Sequence, residues 1–115
     1  MHELARRVMR SVETHESFKL KRDHHSVIAE VRDLQGLKAA IREAPDEAVL
    51  FHLQGRNDYA AWIGGVIGSS ALQEAVSKVD HCMGAEKARE ELVTTLGLGI
   101  KVLKEIEKTE TALIY

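Results

Sequence analysis

His52-Leu-Gln-Gly-Arg-Asn-Asp-Tyr-Ala-Ala-Trp-Ile-Gly-Gly-Val-Ile-Gly68 is the stretch on which the fold of this chain turns. It contains the only Trp and four of the eight glycines. Asn57 or Asp58 supplies a side-chain oxygen that can accept from the first-turn amides of a helix. Behind that cap, Tyr59, Trp62, Ile63, Val66 and Ile67 fall at i, i+3, i+4, i+7 and i+8, one apolar face of a helix. Gly68 is placed to end it in a left-handed conformation. Gly64 and Gly65 lie inside, and either admit a close neighbour or weaken the helix.

Working outward, helical signals continue on both sides. Upstream, Asp33 can cap a helix with Leu34, Leu37, Ile41 and Ala44 on one face. Pro45, with Asp46 and Glu47, restarts the chain as a helix that covers Ala48-Val-Leu-Phe51 and stops near Gly55. Downstream, Ser70 and Gln73 have capping-box spacing and open a helix expected to bury Leu72, Ala75, Val76 and Val79. From Gly84 onward, Leu92, Val93, Leu96, Ile100, Leu103 and Ile106 keep helical spacing. Gly97 and Gly99 fall inside that segment, each costing about 1 kcal/mol relative to Ala, and imply a kink, a break or a close crossing. At the amino terminus Leu4, Ala5, Val8, Met9 and Val12 form one face of an amphipathic helix. Residues 13–33 read both ways. Without Gly or Pro they can continue as helix, yet Phe18-Lys-Leu20-Lys alternates at period two and Val27-Ile28-Ala-Glu-Val31 is β-branched, which suits a hairpin turning at Asp23-His24-His25. The expected fold is all-α, a compact bundle of five to six short helices, with a minor β-hairpin near residues 17–32 as its variant. Residues 1–115 read as one domain, a core at about 33–80 flanked by helices at about 2–16 and 85–110.

At Asn57-Asp58-Tyr59-x-x-Trp62-Ile63-x-x-Val66-Ile67-Gly68 the chain resembles a family of small, mainly archaeal helical domains of unknown function. That family has a His a few residues before an Asn-Asp-aromatic-x-x-Trp core and a Leu-containing helix after the terminal Gly. His52, Leu72 and the Leu34/Leu37 helix match in order, so the likeness spans about residues 33–80. Gly36, Gly64-Gly65 and Ser69-Ser70 depart from it. The resemblance implies a small helical domain and carries no activity.

Composition narrows the function classes. The net charge is −2, with nine Lys/Arg against seven Asp/Glu over residues 1–44 and seven against eleven over 45–115. Such a balance argues against a general polyanion binder. One cysteine, Cys82, allows no internal disulfide and suits a reducing compartment. No apolar run approaches the roughly 20 residues of a membrane span, and Met-His-Glu-Leu-Ala-Arg-Arg lacks the apolar core of a secretory signal, so a cytoplasmic location is expected. His2, His15, His24, His25, His52 and His81 lack the spacing of a zinc site, and no metal or other cofactor is expected. Gly97-Leu-Gly99 has too few glycines, in the wrong context, for a dinucleotide fingerprint. No catalytic residues are assigned, and an enzyme is not the favoured reading. The candidate binding residues are His52, Arg56 and Asp58, able to hold an anion or acidic group in a shared cleft. Asn57, Tyr59, Trp62, Ile63, Val66 and Gly68 are assigned to structure. The expected function is a non-enzymatic helical module that binds a protein partner or pairs as a homodimer. The alternatives are a small-ligand or metal-binding protein using His52, Arg56 and Asp58, and a weak nucleic-acid binder through Arg6, Arg7, Arg10, Lys19, Lys21 and Arg22. In the last, Glu3, Glu13, Glu16 and Asp23 cancel much of the basic field.

Overall fold

Asp33, Asn57 and Ser69 each accept a hydrogen bond from the amide three residues on, at 2.7, 3.0 and 3.2 Å, and these caps set three of the helix starts. In the computed structural model, which describes the backbone of residues 2–114 and the side chains of residues 3–108, the elements run α1 (His2–Met9), β1 (Phe18–Asp23), β2 (Ser26–Val31), α2 (Leu34–Glu43), α3 (Asp46–Phe51), α4 (Asp58–Trp62), α5 (Ser70–Ser77) and α6 (Ala85–Ile114). Short 3-10 turns at Thr14–Glu16 and His81–Met83 complete the path. The chain is therefore mostly helical, with a small antiparallel hairpin.

Helix α6 is the spine, packing against α1, α2, α3 and α5. The hairpin lies to one side, β1 on α3 and β2 on α2. Leu34, Leu37, Ile41, Tyr59, Ile63, Ile67, Val76, Leu92 and Leu96 are fully or nearly fully buried in one shared core. Polar side chains stitch its edges. Arg89 of α6 donates to the carbonyls of Ile41 and Ala44 at 2.7 and 2.5 Å, satisfying the end of α2, and pairs with Asp46 at the start of α3.

The opening stretch behaves largely as its pattern predicts. Asn57 rather than Asp58 is the cap, and its amide nitrogen also donates to the carbonyls of Val76 and Val79, tying α4 to the end of α5. Tyr59, Trp62, Ile63 and Ile67 are buried, and Val66 is half-buried. Gly68 is left-handed, with φ 90°. Before it, Ile63–Ile67 widens into a π-helical turn in which the Gly68 and Ser69 amides both donate to the Ile63 carbonyl, at 2.8 and 3.2 Å. Arg10 donates to the Val66 and Ile67 carbonyls at 3.0 and 3.1 Å, so the widened turn is capped from the residue that follows α1.

Several expectations are corrected. The first helix stops at Met9, because the Val12 amide and carbonyl bond to Arg32 and draw the chain into the end of the hairpin. Leu4 is exposed. Of the two readings of residues 13–33, the hairpin is the one formed, over residues 18–31 with its turn at His24-His25 as expected, and the Asp23 side chain accepts from the His25 amide at 2.8 Å. The cap of α5 is Ser69, one residue earlier than expected, and Ala75, expected to be buried, is exposed at the edge of the face formed by Leu72, Val76 and Val79. Helix α6 is neither short nor broken: it runs 30 residues through Gly97 and Gly99. Burial of Leu92, Leu96 and Ile100 outweighs the low helix propensity of the two glycines. Of the three expected readings, Gly99 fits the close crossing, since a Cβ there would lie 2.9 Å from Leu72 Cδ1 on α5.

Candidate functional site

The loop after α3 brings His52, Arg56 and Asp58 together. It folds back through Gly55, at φ 76°, and closes where the Asp58 amide donates to the His52 carbonyl at 2.8 Å. The His52 side chain, 4% exposed, then points inward among rings. Phe18 of β1, Phe51 and Tyr59 have ring centroids 4.8, 5.1 and 5.4 Å from the imidazole.

A single hydrogen-bonded chain runs through this histidine. The main-chain N–H of Lys21 donates to Nε2 at 2.9 Å, so that nitrogen carries no proton. The proton sits on Nδ1 and is donated to Asp58 Oδ2 at 3.0 Å. Asp58 Oδ1 accepts from Arg56 Nε at 2.9 Å. Burial pushes the His52 pKa below the usual histidine value, and the Asp58 carboxylate opposes that shift without cancelling it. His52 is thus a neutral connector with both nitrogens occupied. In this arrangement it has no lone pair left for a metal and none for a general-base step.

An open cleft of about 560 Å³ lies over this chain. Its walls include His52, Arg56, Asp58 and Trp62, together with Lys19, Lys21, His24, Phe51 and Gln54. The three residues singled out from the sequence therefore do share a cleft. Tyr59 does not line it; it lies beneath, with its hydroxyl donating to the Val49 carbonyl at 2.9 Å and its pKa raised by burial. Trp62 donates its indole N–H to the Glu16 carbonyl at 2.8 Å and so pins the turn before β1.

The wall from β1 was missed in the sequence. Lys19 and Lys21 alternate with buried Phe18 and Leu20, and that period-two pattern was the available signal. The other histidines are dispersed. His24 and His25 sit on the hairpin tip, His15 and His81 on 3-10 turns, and Cys82 is exposed; the His2 side chain falls outside the described residues. Among the described residues no three His, Cys, Asp or Glu side chains gather as a metal site. No described helix is long and apolar enough to cross a membrane.

A second depression has the opposite character. Between α5 and α6 a groove of about 450 Å³ is walled by Ala71, Leu72, Ala75, Leu98, Gly99 and Val102. Leu98 is 61% exposed and Val102 56%, the two most exposed large aliphatic side chains on the described surface. Comparison with known proteins returns no match: no family model, no curated protein and no solved structure is similar to this chain.

Proposed function

We propose that this chain is a non-enzymatic helical interaction module that pairs with a second copy of itself through the α5–α6 groove. The observation that carries this reading is the exposure of Leu98 and Val102 beside a shallow apolar trough. Burying such side chains is worth about 1.5–3 kcal/mol each, so leaving two of them in water marks a contact surface. The patch carries both halves of its own complement. Leu98 and Val102 project from α6, while the small residues Ala71, Ala75 and Gly99 form the floor next to them. A two-fold operation sets each copy's projections over the other's floor, as a self-complementary interface requires. Helix α6, about 45 Å long, is longer than either short dimension of the molecule, 28 and 22 Å, and so offers an extended face for pairing.

Within this proposal the polar chain at His52 is structural support rather than catalytic machinery, because both imidazole nitrogens are already bonded. A cytoplasmic setting suits the exposed, unpaired Cys82. The likeness of residues 33–80 to the archaeal helical family belongs to the same reading, as the part that builds the scaffold. The nucleic-acid alternative is weakened on its own ground, since Arg10 is committed to the carbonyls of Val66 and Ile67, and Lys19 and Arg22 pair with Glu30 and Glu47.

Sedimentation velocity over a concentration series tests the proposal. The wild type is expected to pass from monomer to dimer, and Leu98→Glu to remain monomeric, with the wild-type melting temperature when both are compared at concentrations where the wild type is monomeric. A wild type that stays monomeric at the highest soluble concentration, or a dimer untouched by Leu98→Glu, would overturn it.

A further inference from the structure

The hydrogen-bonded chain through His52 ends in a cationic residue on each side of the cleft. At one end the imidazole holds the main chain of Lys21, and at the other Asp58 holds the guanidinium of Arg56. Both residues line the same cleft. Lys21 carries an unpaired charge, and Arg56, though paired with Asp58, keeps donors free. Lys21 has no ion-pair partner among the described residues, whereas its neighbours Lys19 and Arg22 pair with Glu30 and Glu47. Arg56 is 83% exposed and uses only Nε, leaving its two terminal nitrogens without a protein acceptor among the described residues. The one acid in the wall, Asp58, has each oxygen occupied, one by His52 and one by Arg56. Asp58 and Arg56 therefore offset each other in formal charge, and the net positive charge at this end of the cleft comes from Lys21.

We infer that this cleft is a binding site for a small organic anion, a phosphate monoester or a carboxylate attached to a planar ring. Lys21 and Arg56 clamp the charged group, and the ring lies toward Phe51 and Trp62. The size supports this: about 560 Å³ falls in the range of small-ligand sites, which are roughly 300–1,000 Å³. The chemistry supports it as well. A guanidinium fixed at Nε presents its remaining N–H groups as a fork for phosphate or carboxylate oxygens. Lys21, whose main chain is held at the cleft wall, supplies a point charge on a flexible stem that can reach the bound group. His24, stacked edge-on to Phe51 at 5.1 Å, and Gln54 add hydrogen-bonding capacity at the rim. In this site His52 and Asp58 are positioning residues, acting through Lys21 and Arg56. The inference is independent of self-pairing, since none of these residues borders the α5–α6 groove.

The test uses the full chain, with phenyl phosphate, benzoate and inorganic phosphate as probes. Titration calorimetry reads affinity, and the fluorescence of Trp62, the only Trp, reports occupancy of the wall it belongs to. Saturable binding of phenyl phosphate or benzoate is expected, tighter than that of inorganic phosphate. The tighter of the two ring-bearing probes names the head group. Lys21→Gln and Arg56→Gln should each weaken it about tenfold, as expected for loss of one charge-assisted contact. Melting curves check that each variant is folded, and Lys21→Gln retains the main-chain bond to His52. Lys38→Gln, on α2 and outside the cleft, should bind as the wild type does. Absence of saturable binding at millimolar probe would overturn the inference. So would equal weakening by Lys38→Gln, which is general charge attraction, or inorganic phosphate binding as tightly as phenyl phosphate.

Discussion

Around His52, both imidazole nitrogens and both Asp58 oxygens have partners, whereas along the α5–α6 groove Leu98 and Val102 stand in water beside a bare trough. The first region joins elements distant in sequence, strand β1 and the α3–α4 loop, through groups that cannot be buried without a partner. The second lies on helices whose own cores are already filled, by Val76 on α5 and by Leu92 and Leu96 on α6. The contrast separates what the monomer needs from what it leaves unused. Residues that look chemically active are tied into the fold, and residues that look like ordinary core are left exposed.

Substitution on each side puts that contrast at risk, and the largest effect is expected at His52. His52→Ala leaves the Lys21 amide and an Asp58 oxygen without their partner and opens a void among Phe18, Phe51 and Tyr59. The expected loss is about 3 kcal/mol of unfolding free energy in a urea titration. Leu98→Glu, on the exposed face, should change the monomer's stability by less than about 0.5 kcal/mol. Equal losses at the two positions would show that the groove is part of the monomer core and that the contrast is false.

Much of the scaffold was legible because its signals are local. Asp33, Asn57 and Gly68 act on their own or the next turn of chain, and each does what its residue type predicts. Ser69 and Ser70 offer the same hydroxyl one residue apart, so the pattern placed the cap of α5 one position late; Ala75, a small residue beside Val76, reads as core for its apolar type alone. The hairpin was ambiguous for a different reason. Residues 13–33 carry no breaker, and what favours strands there is the packing of Phe18 and Leu20 into a core built by later helices. The three candidate residues were found because they lie within seven positions of one another. Their fourth member, Lys21, enters through a main-chain N–H from 31 residues away, which leaves no signature in the residue type.

Acid should act on one region and spare the other. His52 is neutral in the fold with its pKa below the unfolded value, so over the window beneath about 6.5 the unfolded chain binds more protons than the folded one. The contribution of this histidine is complete above that pH and declines as pH falls towards the folded-state pKa. Urea midpoints of the wild type should therefore drop between neutral and mildly acidic pH, and His52→Gln should flatten that slope from a lower starting point. No residue lining the α5–α6 groove titrates in this window, so the dimer constant from sedimentation should stay level. A dimer that dissociates in step with His52 protonation would join the two regions into one system.

The smallest expected effect distinguishes the two glycines of α6, which the sequence presents as equivalent interruptions. At Gly97 an added Cβ would meet only the end of the Lys38 side chain, 3.4 Å from Nζ, and that chain can move aside into solvent. Gly97→Ala should therefore raise stability by about 1 kcal/mol, the difference in helix propensity. At Gly99 the same methyl would come within 2.9 Å of Leu72 Cδ1, and Leu72 is a core side chain that also walls the groove. Displacing it offsets the propensity gain, so Gly99→Ala should be less stable than Gly97→Ala, and the shifted Leu72 should narrow the trough and weaken pairing. Equal gains at both sites, with unchanged pairing, would mean that Leu72 yields freely and that the floor of the groove is softer than its geometry implies. A gain at Gly97 alone would locate the rigid part of the groove at the α5–α6 crossing, where Leu72 joins the groove wall to the core.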